Sequence, residues 1–478
     1  MNALQRDLKR MVDFVEINNF PIVKQDPHRQ KFHLMPPVGW LNDPNGLCWY
    51  KGKYHVYYQY APFDVNGGVK FWGHWSSPDL LEWNQEPVFM CPDQTFNIHG
   101  VYSGSALVEN DELYLYYTGN VKHPGNHDYI KTGRGHNTAV AISKDGNVVS
   151  ENILLMENSD YPKDVTCHVR DPKVWKQDGK YYMILGARTV EDRGEVLIYE
   201  SEDKLKWSHI NTITTPEVFG YMWECPDLFC IDGQYILAVS PQGVENKEYE
   251  FQNVYSCGYF PLYGDFRGEC TLGEYRELDK GFDFYAQQTF QDKEGRCLAI
   301  GWMGMPDAAY TNPSAKDFGW QHCMTVPREL KWNGKYLLSM PVKELEQLRV
   351  KEQVVEVKNK ITYKLETCAD IEFENKSDKF EIAFGDCAKI VYENKVLTLS
   401  FTEESGYGRD KRRVKVDKLN NIRILVDTSS LEIFINQGEE VMSNRYYPSE
   451  NIELKIQGIG ISKIYDMKAM EMTFINEK

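Results

Sequence analysis

Short apolar runs broken by turn residues fill the first two thirds of the chain, and one arrangement of them recurs. A polar residue opens each copy, a short apolar strand follows, then an acidic or glycine-containing turn, then a tyrosine-rich strand. The copies read DPNGLCWYKGKYHVYYQY from Asp43, SGSALVENDELYLYYTGN from Ser103, DPKVWKQDGKYYMILGAR from Asp171 and ECPDLFCIDGQYILAVSP from Glu224. A weaker fifth copy, DFYAQQTFQDKEGRCLAIGW, starts at Asp283. Aligned on the second strand, the markers are Tyr54, Tyr114, Tyr181, Tyr235 and Cys297, with successive separations of 60, 67, 54 and 62 residues. Each copy predicts a β-hairpin, and further strand-and-turn segments such as SSPDLLEWNQEPVF and SEDKLKWSHINTI lie between copies. Four strands per unit and five units predict an all-β, five-bladed β-propeller.

The pattern changes along the chain. Residues 1–30 predict a helical leader, residues 31–340 hold the repeats, and PVKELEQLRV at 341–350 reads as a helical or irregular connector. From 351 to 478, short alternating runs such as FEIAF, KIVYENKVLTLSF and NIRILVDTSSLEIFINQG predict a β-sandwich. That region shows no convergent polar set, so its expected role is support. In a propeller the innermost strands surround one channel, so equivalent positions meet at its mouth. The expected meeting points are Asp43, Ser103, Asp171, Glu224 and Asp283.

Composition narrows the function. At 478 residues the chain exceeds one ordinary core. A formal charge of −16 disfavours nucleic-acid and anionic-membrane partners, and no stretch reads as a membrane span. The eleven cysteines include no C-x-x-C pair, and the charged N-terminus does not read as a secretory signal. The expectation is a cytoplasmic protein with reduced thiols, no metal and no cofactor, whose partner is a small sugar. Aromatic residues make up 13% of the chain and suit both strands and sugar stacking.

Carboxylates gathered at one mouth perturb one another's ionisation, and such divergence separates an acid from a nucleophile. Two carboxylates about 5–5.5 Å apart hydrolyse a glycoside with retention. Asp43, in WLNDPNG, suits the nucleophile because Asn42 and nearby N–H groups can hydrogen-bond its ionised form. Glu224, in MWECPDL, is flanked by Met222, Trp223, Cys225 and Pro226, an apolar setting expected to raise its pKa and suit it as general acid and base. Asp171 follows Arg170, whose charge is expected to keep it ionised for a binding and transition-state role. Taken singly, Asp-Pro-Asn-Gly is a turn and Arg-Asp a salt bridge; the joint placement in one repeat argues for chemistry.

At these residues the chain resembles glycoside hydrolase family 32, the β-fructofuranosidases. The matches are WLNDPNG, Tyr58-Gln59, FWGHW at 71–75, YSGSA at 102–106, RDPKVW from Arg170, WECPDL from Trp223, DFYA from Asp283 and GWMG from Gly301. LVDTSSLEIFINQGEEV is similar to the family's second domain. The resemblance implies a five-bladed propeller followed by a β-sandwich. It also implies a nucleophile at Asp43, a transition-state stabiliser at Asp171 and an acid/base at Glu224. Sugar contacts are implied at Asn42, Gln59, Ser103, Arg170, Tyr285 and Trp302, with Trp40 and Tyr102 beside them in the same motifs. Many members carry a tryptophan before the WGH triplet where this chain has Gly67 and Gly68, so the stacking platform is either missing or supplied by another residue such as Phe63 or Phe71.

The substrate reading rests on KHPGNHDYIKTGRGH, residues 122–136, where Lys122, His123, His127, Lys131 and Arg134 are opposed only by Asp128. A loop there is expected to overhang the mouth and meet a phosphate. The expected substrate is sucrose 6-phosphate, sucrose or both. A hydrolase of short fructo-oligosaccharides and a silent sugar-binding propeller are the alternatives.

Overall fold

The computed structural model describes residues 2–366, 368–448 and 452–475. Five antiparallel sheets form the propeller, and each starts from an inner strand next to the axis: Gly39–Tyr50, Val101–Glu109, Val165–Gln177, Met222–Ile231 and Tyr285–Gln291. These five strands are neighbours in a closed ring, the first lying between the second and the fifth. The second strands of the blades, which carry Tyr54, Tyr114, Tyr181, Tyr235 and Cys297, pair antiparallel with them. The hairpin repeat is therefore the blade repeat.

The connector forms a 3-10 turn, Lys343–Leu348, and leads to two six-stranded sheets that pack as a sandwich. The chain then returns to the propeller. Glu471–Thr473 adds in parallel to the outer strand of blade one, at Glu82–Asn84, while Trp320–Gln321 adds in parallel to its inner strand, at Gly39–Trp40. The N-terminal helix, Ala3–Val23, buries Val12, Glu16, Phe20 and Val23 against blade one. Glu16 accepts hydrogen bonds there from Tyr60 and Gln85.

Behind the helix, a buried ionic chain ties the propeller to the sandwich. His33 lies 2.7 Å from Asp427 and 2.9 Å from Glu432, and Arg328 bridges Glu432 to Asp279. Burial alone would strip the His33 proton, but its two carboxylate partners more than offset this and raise its pKa. Burial likewise penalises the partners' charges. His33 nevertheless holds Asp427, and Arg328 together with His33 holds Glu432, below the ordinary carboxylate range.

One expected meeting point is elsewhere. Asp283 precedes the inner strand of blade five and is wholly buried against Arg409 of the sandwich, at 2.8 Å. It also accepts the backbone N–H of Arg445. A carboxylate with this much compensation serves the domain junction, and blade five brings Tyr285 to the mouth instead.

Candidate active site

Every inner strand carries the same irregularity at the same height. Two of its residues face one residue of the second strand: Asn42 and Asp43, Tyr102 and Ser103, Asp171 and Pro172, Cys225 and Pro226, Ala286 and Gln287. Such bulges interrupt the ladder and re-aim side chains. Proline suits the positions in blades three and four because the ladder asks for no N–H there. The first bulged residue is left-handed in three blades, with φ of 62° at Asp171, 48° at Cys225 and 54° at Ala286. Non-glycine residues in that region are uncommon and cluster where function over-determines the backbone.

Counted in this common frame, the three carboxylates are not equivalent. Glu224 is the residue before its bulge, Asp171 the first residue of its bulge and Asp43 the second. The offset gives the carboxylates different placements around the axis while keeping them together. Cys225 joins them: its Sγ lies 3.8 Å from Asp43 Oδ2 and 3.6 Å from Asp171 Oδ2, and its N–H donates to Asp171 Oδ2 at 2.9 Å.

Two relays hold Asp43. Trp40 Nε1 donates to Asn42 Oδ1 at 2.8 Å, and Asn42 Nδ2 donates to Asp43 Oδ1 at 3.0 Å. On the other oxygen, Gln59 Nε2 donates to Ser103 Oγ at 3.0 Å, and Ser103 Oγ donates to Asp43 Oδ2 at 2.5 Å. Both oxygens of one carboxylate are thus oriented by side chains from two blades.

Glu224 differs from the sequence expectation. Its surroundings are polar: Gln242 Nε2 donates to Oε2 at 3.0 Å, the Tyr285 hydroxyl donates to Oε2 at 2.9 Å, and Arg170 Nη1 pairs with Oε1 at 3.0 Å. Arg170 therefore serves Glu224 rather than its sequence neighbour. The left-handed backbone at Asp171 turns adjacent side chains apart. Asp171 is buried, and burial pushes its pKa up to about 7; Arg170 opposes this, while Glu224 and Asp43 add to it. The expectation that Arg170 keeps Asp171 ionised fails because one guanidinium at a distance does not compensate full desolvation.

An aromatic wall stands beside these groups. Trp302 packs on Trp40 at 5.8 Å and on Tyr285 at 6.4 Å, and His322 meets the Trp40 ring edge-on at 4.4 Å. Trp302 Nε1 and Gln59 Oε1 are buried without a protein partner. Native structures leave few such atoms unpaired, so this wall has polar capacity for hydroxyl groups. Tyr102 lies 5.8 Å from the His136 ring. Of the two phenylalanines, Phe71 is buried, and Phe63 is exposed and packs edge-on against it at 5.7 Å. The face of Trp40 carries Lys70 instead, with Nζ 4.9 Å from the ring centroid.

The basic loop resolves into one inward cation and several outward ones. Lys122, His123 and Lys131 are exposed, and Asp128 caps the turn by accepting three backbone N–H groups. The loop is pinned to the strand of Asp171 by the Cys167 N–H, which donates to Ile130 O. Arg134 alone reaches the site, with Nη1 3.1 Å from His168 Nε2, while Arg170 Nη2 lies 2.9 Å from His168 Nδ1. Burial and these two guanidiniums push the His168 pKa well down, keeping it neutral between them. Lys70, Gln242, His168, His322 and Cys225 carried no signal in the sequence reading. Of these, only Cys225 was marked at all, as a neighbour of Glu224.

A propeller whose mouth gathers three carboxylates beside an aromatic wall defines a class of glycoside-cleaving enzymes, and comparison with known proteins agrees. Residues 33–341 match the model of the glycosyl hydrolases family 32 N-terminal domain, and residues 344–465 match that of the family 32 C-terminal domain. The chain belongs to glycoside hydrolase family 32 and is a hydrolase of its β-fructofuranosidase group. It is 38% identical over 464 residues to a sucrose-6-phosphate hydrolase of Bacillus subtilis, covering 94% of this chain and 95% of that protein. A Klebsiella pneumoniae protein of the same description is 36% identical, with 92% of each chain covered. Among solved structures, the sucrose-6-phosphate hydrolase of Lactobacillus gasseri superposes with a TM-score of 0.88 at 28% identity, covering 96% of this chain and 97% of that one. A Bombyx mori family 32 β-fructofuranosidase gives 0.87 at 28% identity, covering 98% and 99%. Among the described residues, no helix is long and apolar enough to cross a membrane.

Proposed function

We propose that this protein is a retaining β-fructofuranosidase that hydrolyses sucrose 6-phosphate, sucrose or both, inside the cell. Asp43 attacks the anomeric carbon of the fructosyl unit, and Glu224 protonates the departing oxygen and then activates water. Asp171 accepts hydrogen bonds from ring hydroxyls as charge develops. The observation that carries this reading is the pair of environments around Asp43 and Glu224. Both oxygens of Asp43 are aimed by hydrogen-bond donors from two blades, which suits a nucleophile that must keep one geometry. Glu224, one residue from the sulfur that touches Asp43, sits among three donors, of which the Tyr285 hydroxyl can turn from donor to acceptor when the carboxyl takes up a proton.

Trp40, Trp302 and Tyr285 form the wall for the fructosyl ring, and Asn42, Gln59, Ser103 and Arg170 both orient the carboxylates and offer donors to hydroxyls. Tyr102 and Arg134 line the side on which the leaving sugar departs. The descriptions of the relatives and the inward Arg134 favour a phosphorylated leaving group. Comparing kcat/KM for sucrose 6-phosphate, sucrose and a short fructo-oligosaccharide tests the substrate. Highest efficiency on sucrose 6-phosphate supports the reading, and highest efficiency on the oligosaccharide refutes it. Fructose release that persists in Asp43→Ala would remove the assigned nucleophile.

A further inference from the structure

Lys70 is a cation without a counter-ion. It follows the Gly67-Gly68 turn, and its carbonyl accepts the Val101 N–H at 2.9 Å, which fixes the segment beside the bulge of blade two. Its ammonium is half-buried over Trp40, the residue that begins one of the two relays to Asp43. Among the described residues no carboxylate stands within ion-pairing distance of it; Asp43 and Asp64 act on it only at longer range. Burial pushes its pKa down to about 7 against their pull.

Arg134 shares this condition. It is half-buried, its partner is the neutral ring of His168, and its Nε is buried without a partner. In a chain with 70 acidic and 54 basic side chains, two inward cations without carboxylates are a costly arrangement. They come from adjacent blades, and the strand of Tyr102 runs by both: Arg134 feels the Tyr102 hydroxyl, and the Lys70 carbonyl accepts the N–H of Val101, the residue before Tyr102. An incoming anion, dianionic and rich in acceptors, would compensate both.

We propose that Lys70 is a specificity-determining residue that binds the phosphate of the leaving glucosyl group, opposite Arg134. This rests on the reading of sucrose 6-phosphate as a substrate. Blade one then carries a charged contact on the Trp40 face at the point where Gly67 and Gly68 provide no stacking side chain.

The test is the ratio of kcat/KM for sucrose 6-phosphate to that for sucrose, measured on the full chain in the parent, Lys70→Met, Lys70→Arg and Lys131→Ala. The parent is expected to favour the phosphorylated sugar. Lys70→Met is expected to lower the ratio ten- to a hundredfold, the loss of one charge-assisted hydrogen bond. Lys70→Arg should retain most of the preference, and Lys131→Ala, on the outward side of the basic loop, should match the parent. A parental preference that survives Lys70→Met overturns the inference while leaving the substrate reading intact. So does a loss equal for both sugars, which would make Lys70 a support for Trp40, or a fall confined to Lys131→Ala. No parental preference overturns this inference alone, and a parent that does not hydrolyse sucrose 6-phosphate overturns the reading it rests on as well. Thermal unfolding of each variant confirms that the comparison is between folded proteins.

Discussion

Replacing Asp171 by asparagine should make the protein more stable as it loses its activity, and the gain should depend on pH. The side chain is 5% exposed and its pKa is pushed from 3.8 to about 7, so near neutrality folding must keep a proton that the unfolded chain releases. A carboxyl raised in this way costs nothing below its unfolded pKa. Its penalty grows as pH climbs from about 4 to about 7 and is constant above. Each tenfold change in proton affinity is worth about 1.4 kcal/mol, which sets an upper bound of roughly 4 kcal/mol for the whole rise and about 2–3 kcal/mol between pH 5 and pH 8. Asparagine keeps an acceptor for the Cys225 N–H and ionises at no pH. Urea unfolding can be followed by tryptophan emission, because all eleven tryptophans lie between Trp40 and Trp332 and so report the propeller. The variant's advantage should widen by that amount from pH 5 to pH 8. A constant difference across the range, or a variant that is less stable at pH 8, would refute the claim that Asp171 is held protonated by burial.

Ser103→Ala removes the donor to Asp43 Oδ2 and, with it, a charge-assisted bond of about 1.5–3 kcal/mol; kcat should fall roughly tenfold to a hundredfold with a smaller change in KM. Glu224→Gln should lower kcat on sucrose by about 10²–10⁴, the usual worth of a general acid/base, and steady-state kinetics that show a smaller loss would assign that role elsewhere. Arg328→Met leaves Glu432 and Asp279 without their shared guanidinium and should cost about 3–5 kcal/mol. It should also separate the tryptophan-detected transition of the propeller from the far-ultraviolet transition of the whole chain, and coincident, unshifted transitions would count against the ionic chain as the junction. The His33 contribution should be complete below about pH 6.5 and fade as pH rises through its raised folded value. That of Asp427 and Glu432 should hold above about pH 4 and fade as pH falls through their lowered ones. In His33→Gln the alkaline fading should disappear from the urea midpoint.

The blades were legible because hairpin turns leave local marks: KGK, NDE, QDGK and DGQ punctuate apolar runs at a nearly constant interval. The three carboxylates were legible because each opens a copy of that repeat. Their offset was not, since a bulge is a relation between two strands and Asp171 shows its left-handed backbone only once Gly186 and Ile184 are paired opposite. Arg170 was read as the partner of Asp171 because chain neighbours suggest contact, yet that backbone sends the guanidinium to Glu224. Asp283 had the right spacing, but Arg409, more than a hundred residues later, claims it. Charge density alone marked the basic loop, and density does not say which of its cations faces inward. Lys70 lay outside any charge cluster, and its position over Trp40 emerges only when the inner strand and the segment before the third strand of blade one are brought together.

The shared bulge makes each blade sensitive to residue count. Below the mouth, side chains alternate between neighbouring blades, so gaining or losing a single residue between Asp171 and Gln177 would swap the two faces over that stretch. Val174, packed against blade two, and Trp175, packed against blade four, would exchange environments. Point substitutions can therefore alter what each blade presents to the sugar, whereas a one-codon insertion or deletion in an inner strand would be penalised by folding before it could alter specificity.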